Sequence, residues 1–253
     1  MTRRRLLSGL CALALAGSAS AAEPPALTVF AASDLAFAFR EMGPRVEASL
    51  GARVMTVFGS TGNLARQIEH GAPADVFFAA DRQFVERLTA LGILIPETRA
   101  LYARGRLVLA GAKGAGTRLT ALRDLLAPGI RHVAIANPLH APYGRAAEEA
   151  LRRAGVWDPV QPKLVYAEGI QHALQLVQSG AAEAGLLALS VAIAGEVEWT
   201  PIDSALHGPI DQAAAVVRRS PRPELGLALI HFVSGPEGRL IMKRYGFLLP
   251  GEF

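Results

Sequence analysis

Short apolar segments alternate with longer amphipathic segments along most of the chain. The apolar run at 27–32 is followed by apolar residues at helical spacing over 35–48. Further strands are predicted at 54–58 and 75–79, each followed by a helical segment. Strands that alternate with helices form largely parallel sheets covered by helices on both faces. The pattern therefore predicts an α/β fold and excludes all-helical and all-strand architectures.

A second series of alternating strands and helices predicts a second lobe. Its strands are expected at 107–110, 133–136, 164–166 and 184–187. A strand near 213–217 and two terminal helices return the chain to the first lobe. We therefore expect residues 22–104 and 213–253 in lobe 1 and residues 105–212 in lobe 2, with each sheet mostly parallel. The connecting segments are expected near 103–105 and 210–213, and ligands of such folds bind where strands end.

The N-terminus has the features of a secretory signal peptide at 1–21. Three arginines at 3–5 precede an apolar run at 6–16, and a small-x-small pattern follows at 19–21. The run is shorter than the roughly 18 residues that a membrane anchor requires. The general secretory route and the twin-arginine route both fit this segment. Export predicts a periplasmic protein.

The mature chain is expected to carry little net charge and no thiol. The chain has 26 basic and 22 acidic residues, and removal of the three arginines at 3–5 leaves 23 basic residues. This balance lacks the basic field that holds nucleic acid, so no nucleic-acid partner is expected. The single cysteine, Cys11, lies in the signal segment. The mature chain would then have no disulfide and no cysteine ligand for a metal.

Four predicted strand-to-helix junctions, at 31–35, 58–63, 138–144 and 166–170, each contain a hydroxyl residue or a glycine. The first N–H groups of a helix have no partner within it, and the helix dipole places about half a positive charge there. Such ends bind anions without a formal cation. Each junction alone also fits an ordinary cap or turn. Together, four converging ends would hydrogen-bond a tetrahedral oxyanion.

The order of these motifs resembles that of the periplasmic molybdate-binding proteins of ABC transporters. The resemblance covers 27–247, and its most specific stretch, 58–81, contains in order the hydroxyl pair Ser60-Thr61, LARQI, GAPAD, a strand and Ala80-Asp81. The first loop, at 29–35, and the C-terminal segment, at 234–247, are similar to the family as well. The resemblance implies a type II periplasmic-binding-protein fold with the ligand in the cleft between two lobes.

The resemblance also implies which residues bind the oxyanion. Ser33 and Thr61 would donate hydroxyl groups, and Thr61 stands where the family has a serine. Tyr143 and Ile170 would donate backbone N–H groups from the second lobe, and the Tyr143 phenol is a further candidate donor. Ser60, beside Thr61 in the same loop, is a secondary candidate. No residue is expected to ligate the metal atom of the oxyanion directly.

Asp34 is the other secondary candidate, and its carboxylate is unusual at such a site. Because a carboxylate repels a dianion, we expect Asp34 to point away and cap its helix, with only its N–H facing the site. Hydrogen phosphate, in contrast, would use a carboxylate as an acceptor. Binders of phosphate or sulfate therefore stay open as alternatives, since both anions suit the same helix ends.

These features predict a solute-binding protein that captures molybdate, and also tungstate, for an inner-membrane ABC permease. We expect a monomer without a cofactor.

The alternative from another class is a periplasmic hydrolase, but the sequence has no G-x-S-x-G elbow and no H-E-x-x-H motif. Its six histidines show no metal-ligand spacing, so no enzyme is expected. His140 and His172 are nearest the predicted cleft, whereas Arg66 and Arg145 are interpreted as solvated or helix-face residues.

Overall fold

The computed structural model describes residues 24–114 and 119–253. The predicted signal segment at 1–21, with Cys11, lies outside these residues. The described strands, in chain order, are β1 (Ala26–Ala32), β2 (Arg53–Gly59), β3 (Val76–Ala79), β4 (Ala100–Gly105), β5 (Leu107–Ala112), β6 (Val133–Ala136), β7 (Leu164–Ala167), β8 (Ala184–Ala188), β9 (Val197–Pro201) and β10 (Ile210–Val216).

The described α-helices, in chain order, are α1 (Ala36–Leu50), α2 (Thr61–Glu69), α3 (Arg82–Ala90), α4 (Pro142–Arg153), α5 (Trp157–Val160), α6 (Ile170–Gln178), α7 (Leu189–Ala194), α8 (Pro223–Ser234) and α9 (Pro236–Arg244). A short 3-10 turn, Ser33–Leu35, connects β1 to α1. In the described part of the chain, no helix is long and apolar enough to cross a bilayer.

The strands form two five-stranded sheets, which confirms the predicted two-lobed α/β fold. The strand order is β2-β1-β3-β10-β4 in one sheet and β7-β6-β8-β5-β9 in the other. Each sheet is mixed, with two parallel and two antiparallel pairs, where the sequence analysis expects mostly parallel strands. The antiparallel pairs centre on β5 and β10, and each of these strands enters its sheet directly after the chain has crossed between lobes.

The two crossings lie at Arg106, between β4 and β5, and at 202–209, between β9 and β10. Gly105 pairs with Ile210 at the end of the first sheet. That sheet therefore includes Gly105 and the segment 210–212, which the predicted boundaries give to lobe 2. Strands β4 and β9 were not expected from the sequence. The edge strand β9 is exposed at most of its positions, so it lacks the apolar pattern that predicts a strand.

Each lobe has its own apolar core, which fixes the strand ends that carry the site. In β3, Val76 and Phe78 belong to the core on one face of the first sheet, and Phe77 and Ala79 belong to the core on the other face. This alternation is the two-residue period of a strand that is buried on both faces. The second sheet has a separate core that includes the first-turn residues of α4 and α6.

Close packing between α4 and β6 requires a glycine at Gly144. A methyl group added there would overlap the backbone carbonyl oxygen of Ala136. We predict that Gly144→Ala lowers the free energy of unfolding by roughly 1–3 kcal/mol, as overpacking does. Gly43, inside α1, is the matched control because an added methyl would touch nothing within 4 Å. Gly43→Ala should stabilise the chain by about 0.5–1 kcal/mol. Urea denaturation measures both, and equal effects would contradict this packing.

Candidate functional site

The six residues singled out from the sequence meet in one small cavity between the lobes. Its volume is about 10 Å³, and its lining includes Ser33, Asp34, Ser60, Thr61, Tyr143 and Ile170. A cavity of this size holds about one water molecule, so the lobes are tightly closed. The sequence analysis placed these residues at four separate junctions, and the fold brings all four to one point.

Each of the four junctions contributes the start of a helical segment. Ser33 begins the 3-10 turn, Thr61 begins α2, Tyr143 lies in the first turn of α4, and Ile170 begins α6. No side chain of the described residues caps any of these four ends. Apart from the N–H of Gly62, which donates to the carbonyl of His140, the first-turn N–H groups at these ends therefore stay available to a guest, and the helix dipoles favour an anion.

The hydroxyl of Thr61 is oriented by the backbone of the loop between β3 and α3. Its Oγ1 accepts a hydrogen bond from the N–H of Ala80 at 3.0 Å, and both groups are buried. Because that bond uses a lone pair of the oxygen, the hydroxyl hydrogen stays available for donation. Thr61 thus combines a fixed oxygen position with a free donor.

Ser60 connects the lobes rather than standing alone in its loop. Its Oγ lies 2.8 Å from Nδ1 of His140, which belongs to the second-lobe loop before α4. Next to it, the N–H of Gly62 donates to the backbone carbonyl of His140 at 2.9 Å. Burial, followed by the nearby charge of Arg66, lowers the pKa of His140. His140 is therefore a contact across the cleft, in keeping with the predicted nearness of this residue to the site.

The predicted capping role of Asp34 is wrong. Its carboxylate caps neither the 3-10 turn nor α1. Instead, Oδ2 accepts hydrogen bonds from Nε2 of Gln212 at 2.6 Å and from the phenol of Tyr143 at 3.0 Å. The other oxygen, Oδ1, is buried and has no hydrogen-bond partner among the described residues. Two neutral donors, one from β10 and one from α4, therefore hold the carboxylate.

Burial dominates the electrostatics of Asp34. Desolvation raises the pKa of its carboxyl group to about 6, against the smaller opposing effects of Gln212, Tyr143 and the nearby backbone N–H groups. The same burial, together with the Asp34 charge, raises the pKa of the Tyr102 and Tyr143 phenols well above 10. Both phenols are therefore neutral donors under ordinary conditions.

The phenol of Tyr143 is not free to serve as a donor to a guest. Its one hydrogen is donated to Asp34, and its oxygen lies 3.2 Å from Nε2 of Gln212, which donates to it. Of the two donors that the sequence analysis considered for this residue, only the backbone N–H is unoccupied. Tyr143 therefore contributes to the cavity through its position at the start of α4.

Sequence reasoning missed two residues of this buried network. Gln212, on β10, receives a hydrogen bond from the phenol of Tyr102 at 2.8 Å and passes its own hydrogens to Asp34 and Tyr143. We call these four residues, Asp34, Tyr102, Tyr143 and Gln212, the hinge cluster. The available signal was a glutamine directly before the apolar run 213–217, but the predicted strand began at 213, three residues after the start of β10, and so excluded Gln212.

A second link across the cleft involves a residue interpreted as a helix-face arginine. Arg145 of α4 forms an ion pair with Asp81, the residue that caps α3. The guanidinium also lies 5.5 Å from the ring centre of Phe84. Arg145 therefore has an interlobe role. Arg66 donates to Asn63 in its own helix, as a helix-face residue does.

Comparison with known proteins assigns the chain to a family. Residues 27–248 match the bacterial extracellular solute-binding protein family. The chain is 34% identical to molybdate-binding protein ModA of Azotobacter vinelandii over 96% of each chain, and 34% identical to ModA of Escherichia coli K12 over 93% of each. The solved periplasmic molybdate-binding protein of A. vinelandii superposes with a TM-score of 0.83 at 31% identity, covering 88% of this chain and 99% of that one.

The two-lobed fold is that of a bacterial extracellular solute-binding protein, and the chain belongs to that family. Within it, the chain belongs with the relatives that are named ModA.

The hinge cluster yields a stability prediction. Gln212→Leu removes the nearer of the two acceptors of the buried Tyr102 phenol and a donor to Asp34, so we expect the free energy of unfolding to fall by roughly 1–3 kcal/mol. Tyr102→Phe should cost about 1 kcal/mol, and the two changes should be non-additive because the groups share a hydrogen bond. Tyr166, a half-exposed tyrosine, is the control, and Tyr166→Phe should change stability by less than about 0.5 kcal/mol. Strict additivity in urea denaturation would contradict the bond.

Proposed function

We propose that this protein captures molybdate, and tungstate of nearly the same size, between its lobes and delivers it to an inner-membrane ABC permease. One observation carries the proposal: four uncapped helical ends surround one interlobe cavity, and among the described residues no lysine or arginine lines it. That arrangement suits a fully deprotonated oxyanion, which has only acceptors to offer. The names of the ModA relatives support the same cargo.

Hydrogen bonds from neutral groups would replace the hydration of the anion. The donors are the hydroxyls of Ser33 and Thr61 and the backbone N–H groups of Tyr143 and Ile170. Each charge-assisted bond contributes roughly 1.5–3 kcal/mol net. A tetrahedral oxyanion is larger than the cavity of about 10 Å³, so the loaded protein would hold its lobes slightly further apart than in this structure.

The division of donors between the lobes makes closure part of binding. Ser33 and Thr61 follow strands of the first sheet, whereas Tyr143 and Ile170 follow strands of the second. Neither lobe alone supplies a full shell of donors. The anion therefore favours the closed form, and the protein without it opens about the two crossings.

The remaining parts of the proposal concern the setting of the protein. The chain acts in the periplasm after removal of its signal segment, as a monomer and without a cofactor. It releases its cargo unchanged and catalyses no reaction. The metal atom of the anion stays coordinated by its own oxygens, so no side chain ligates it.

Hydrogen phosphate is a second candidate, favoured by the free oxygen of Asp34. A protonated oxyanion could donate to Oδ1, which has no partner among the described residues. Calorimetric titration of the mature protein with molybdate, tungstate, sulfate and phosphate separates the candidates. We expect molybdate and tungstate to bind at one site and far more tightly than the other two. Equal affinity for all four, or preference for phosphate, would contradict the proposal.

Thr61 should contribute its hydroxyl directly. We predict that Thr61→Ala weakens molybdate binding by roughly 1–3 kcal/mol because it removes one donor from a buried anion. Thr61→Ser keeps the hydroxyl and is the matched control, which should bind nearly as well as the wild type. Calorimetry gives both affinities, and thermal unfolding without the anion monitors loss of the Ala80 contact. An unchanged affinity in Thr61→Ala would show that the hydroxyl does not face the anion.

Gly62 should be needed for closure. A methyl group at Gly62 would lie 2.8 Å from the carbonyl oxygen of His140 in the opposite lobe. We predict that Gly62→Ala weakens molybdate binding by roughly 1–3 kcal/mol while each lobe stays folded, because the clash arises only on closure.

Small-angle scattering provides the readout for Gly62→Ala. Molybdate should reduce the radius of gyration of the wild type and of the control Gly43→Ala, but much less that of Gly62→Ala. Full compaction of Gly62→Ala would contradict the proposed closure contact.

A further inference from the structure

The hinge cluster holds a carboxylate that the anion site does not require. Asp34 is buried, and its Oδ2 already accepts two hydrogen bonds, from Tyr143 and Gln212. Its Oδ1 is also buried but has no partner among the described residues. An unpartnered buried oxygen in a native structure calls for an explanation, because such groups are rare and costly.

Among the residues that the structure describes, no cation pairs with this carboxylate. The titratable groups that face it are the phenols of Tyr102 on β4 and Tyr143 on α4, both of them neutral. On β4 and β10 the flanking charges, Arg104 and Asp211, pair with each other at 2.6 Å. From α7, Ser190 donates only to the backbone carbonyl of Asp34.

An anion bound at the ligand site would add further negative charge next to Asp34. Asp34 lines the same cavity as Ser33, Thr61 and Tyr143. A molybdate ion there would place two negative charges beside a buried carboxylate, and like charges at short range disfavour ionisation. Burial, which outweighs the opposing hydrogen bonds, already raises the pKa of Asp34 to about 6 in this closed form.

We infer that Asp34 takes up one proton from solvent when a fully deprotonated oxyanion such as molybdate binds. This inference rests on the proposed function. The proton goes to Oδ1, since both donors of the cluster occupy Oδ2, and the resulting O–H group is a further donor at the cavity. Opening the lobes separates Asp34 from Tyr143 and returns the carboxylate to water, where it loses the proton.

The sign of the pH dependence follows from linkage. The binding-competent form carries one more proton than the open form, so affinity for molybdate falls as pH rises above the ordinary pKa of an aspartate, near 3.9. The loss approaches about tenfold per pH unit while the complex keeps its proton. In this closed form, burial and the nearby charge of Arg66 lower the pKa of His140. If His140 contributes to the proton balance of binding, it releases a proton, whereas Asp34 takes one up.

Calorimetry in buffers of different ionisation enthalpy tests this inference. Molybdate is titrated into the mature protein at about pH 7 in HEPES and in Tris, and the difference in heat gives the protons taken up per anion. We expect close to one for the wild type. Asp34→Asn is the matched variant, because its amide reproduces the neutral carboxyl, with the oxygen facing Tyr143 and Gln212. It should bind with no corresponding uptake and with an affinity that is nearly independent of pH.

The outcomes are separable from those of the proposed function. No binding heat with molybdate would overturn the proposed function itself. Binding without proton uptake by the wild type, or equal uptake by wild type and Asp34→Asn, would overturn this inference alone. Tyr143→Phe gives an independent check that does not alter the carboxyl. It removes a donor to the ionised form, so proton uptake should persist and extend to higher pH, and loss of uptake in this variant would also contradict the inference.

Discussion

A buried dianion without cationic neighbours requires several neutral donors at one point, and the rest of the structure depends on meeting that requirement. Free backbone N–H groups occur in quantity only where helices begin. Helices that follow parallel strands begin at the same edge of a sheet. Two sheets that face each other at those edges therefore bring Ser33, Thr61, Tyr143 and Ile170 together. The two-lobed fold supplies this geometry, and the apolar cores on both faces of each sheet hold it in place.

The hinge cluster connects this site to the crossings between the lobes. Gln212 and Tyr102 lie on the two strands of the first sheet that adjoin the crossings, and they position Asp34 against Tyr143 of the opposite lobe. The same contacts consume the phenol of Tyr143 and leave only its backbone N–H for the guest. In the mechanism that we propose, closure of the lobes, protonation of Asp34 and the shape of the cavity are therefore parts of one equilibrium. Interlobe contacts of Gly62, Ser60 and Arg145 add to it from the rim.

The local parts of this arrangement could be predicted from the sequence. Each junction combines a strand end, small or hydroxyl residues and a helix start within a few positions, so the four junctions could be predicted from local pattern. The choice of Ser33, Thr61 and Ile170 within them came from the resemblance to the family. The hinge cluster could not be found in this way, because Gln212 meets Tyr102 only through the antiparallel pairing of β10 with β4. The orientation of Asp34 was wrong for the same reason, since its partners lie 109 and 178 residues away in the chain. The sheets are mixed because β5 and β10 enter them antiparallel after the chain crosses between lobes. The direction of a strand after such a crossing leaves no pattern in the local sequence.

The most direct test of this account is a crystal structure of the mature protein with molybdate, with the metal located by its anomalous scattering. We expect the anion between the lobes, with its oxygens within hydrogen-bond distance of the hydroxyls of Ser33 and Thr61 and of the N–H groups of Tyr143 and Ile170. An anion held mainly by arginine or lysine side chains, or bound away from the four helix ends, would contradict the account.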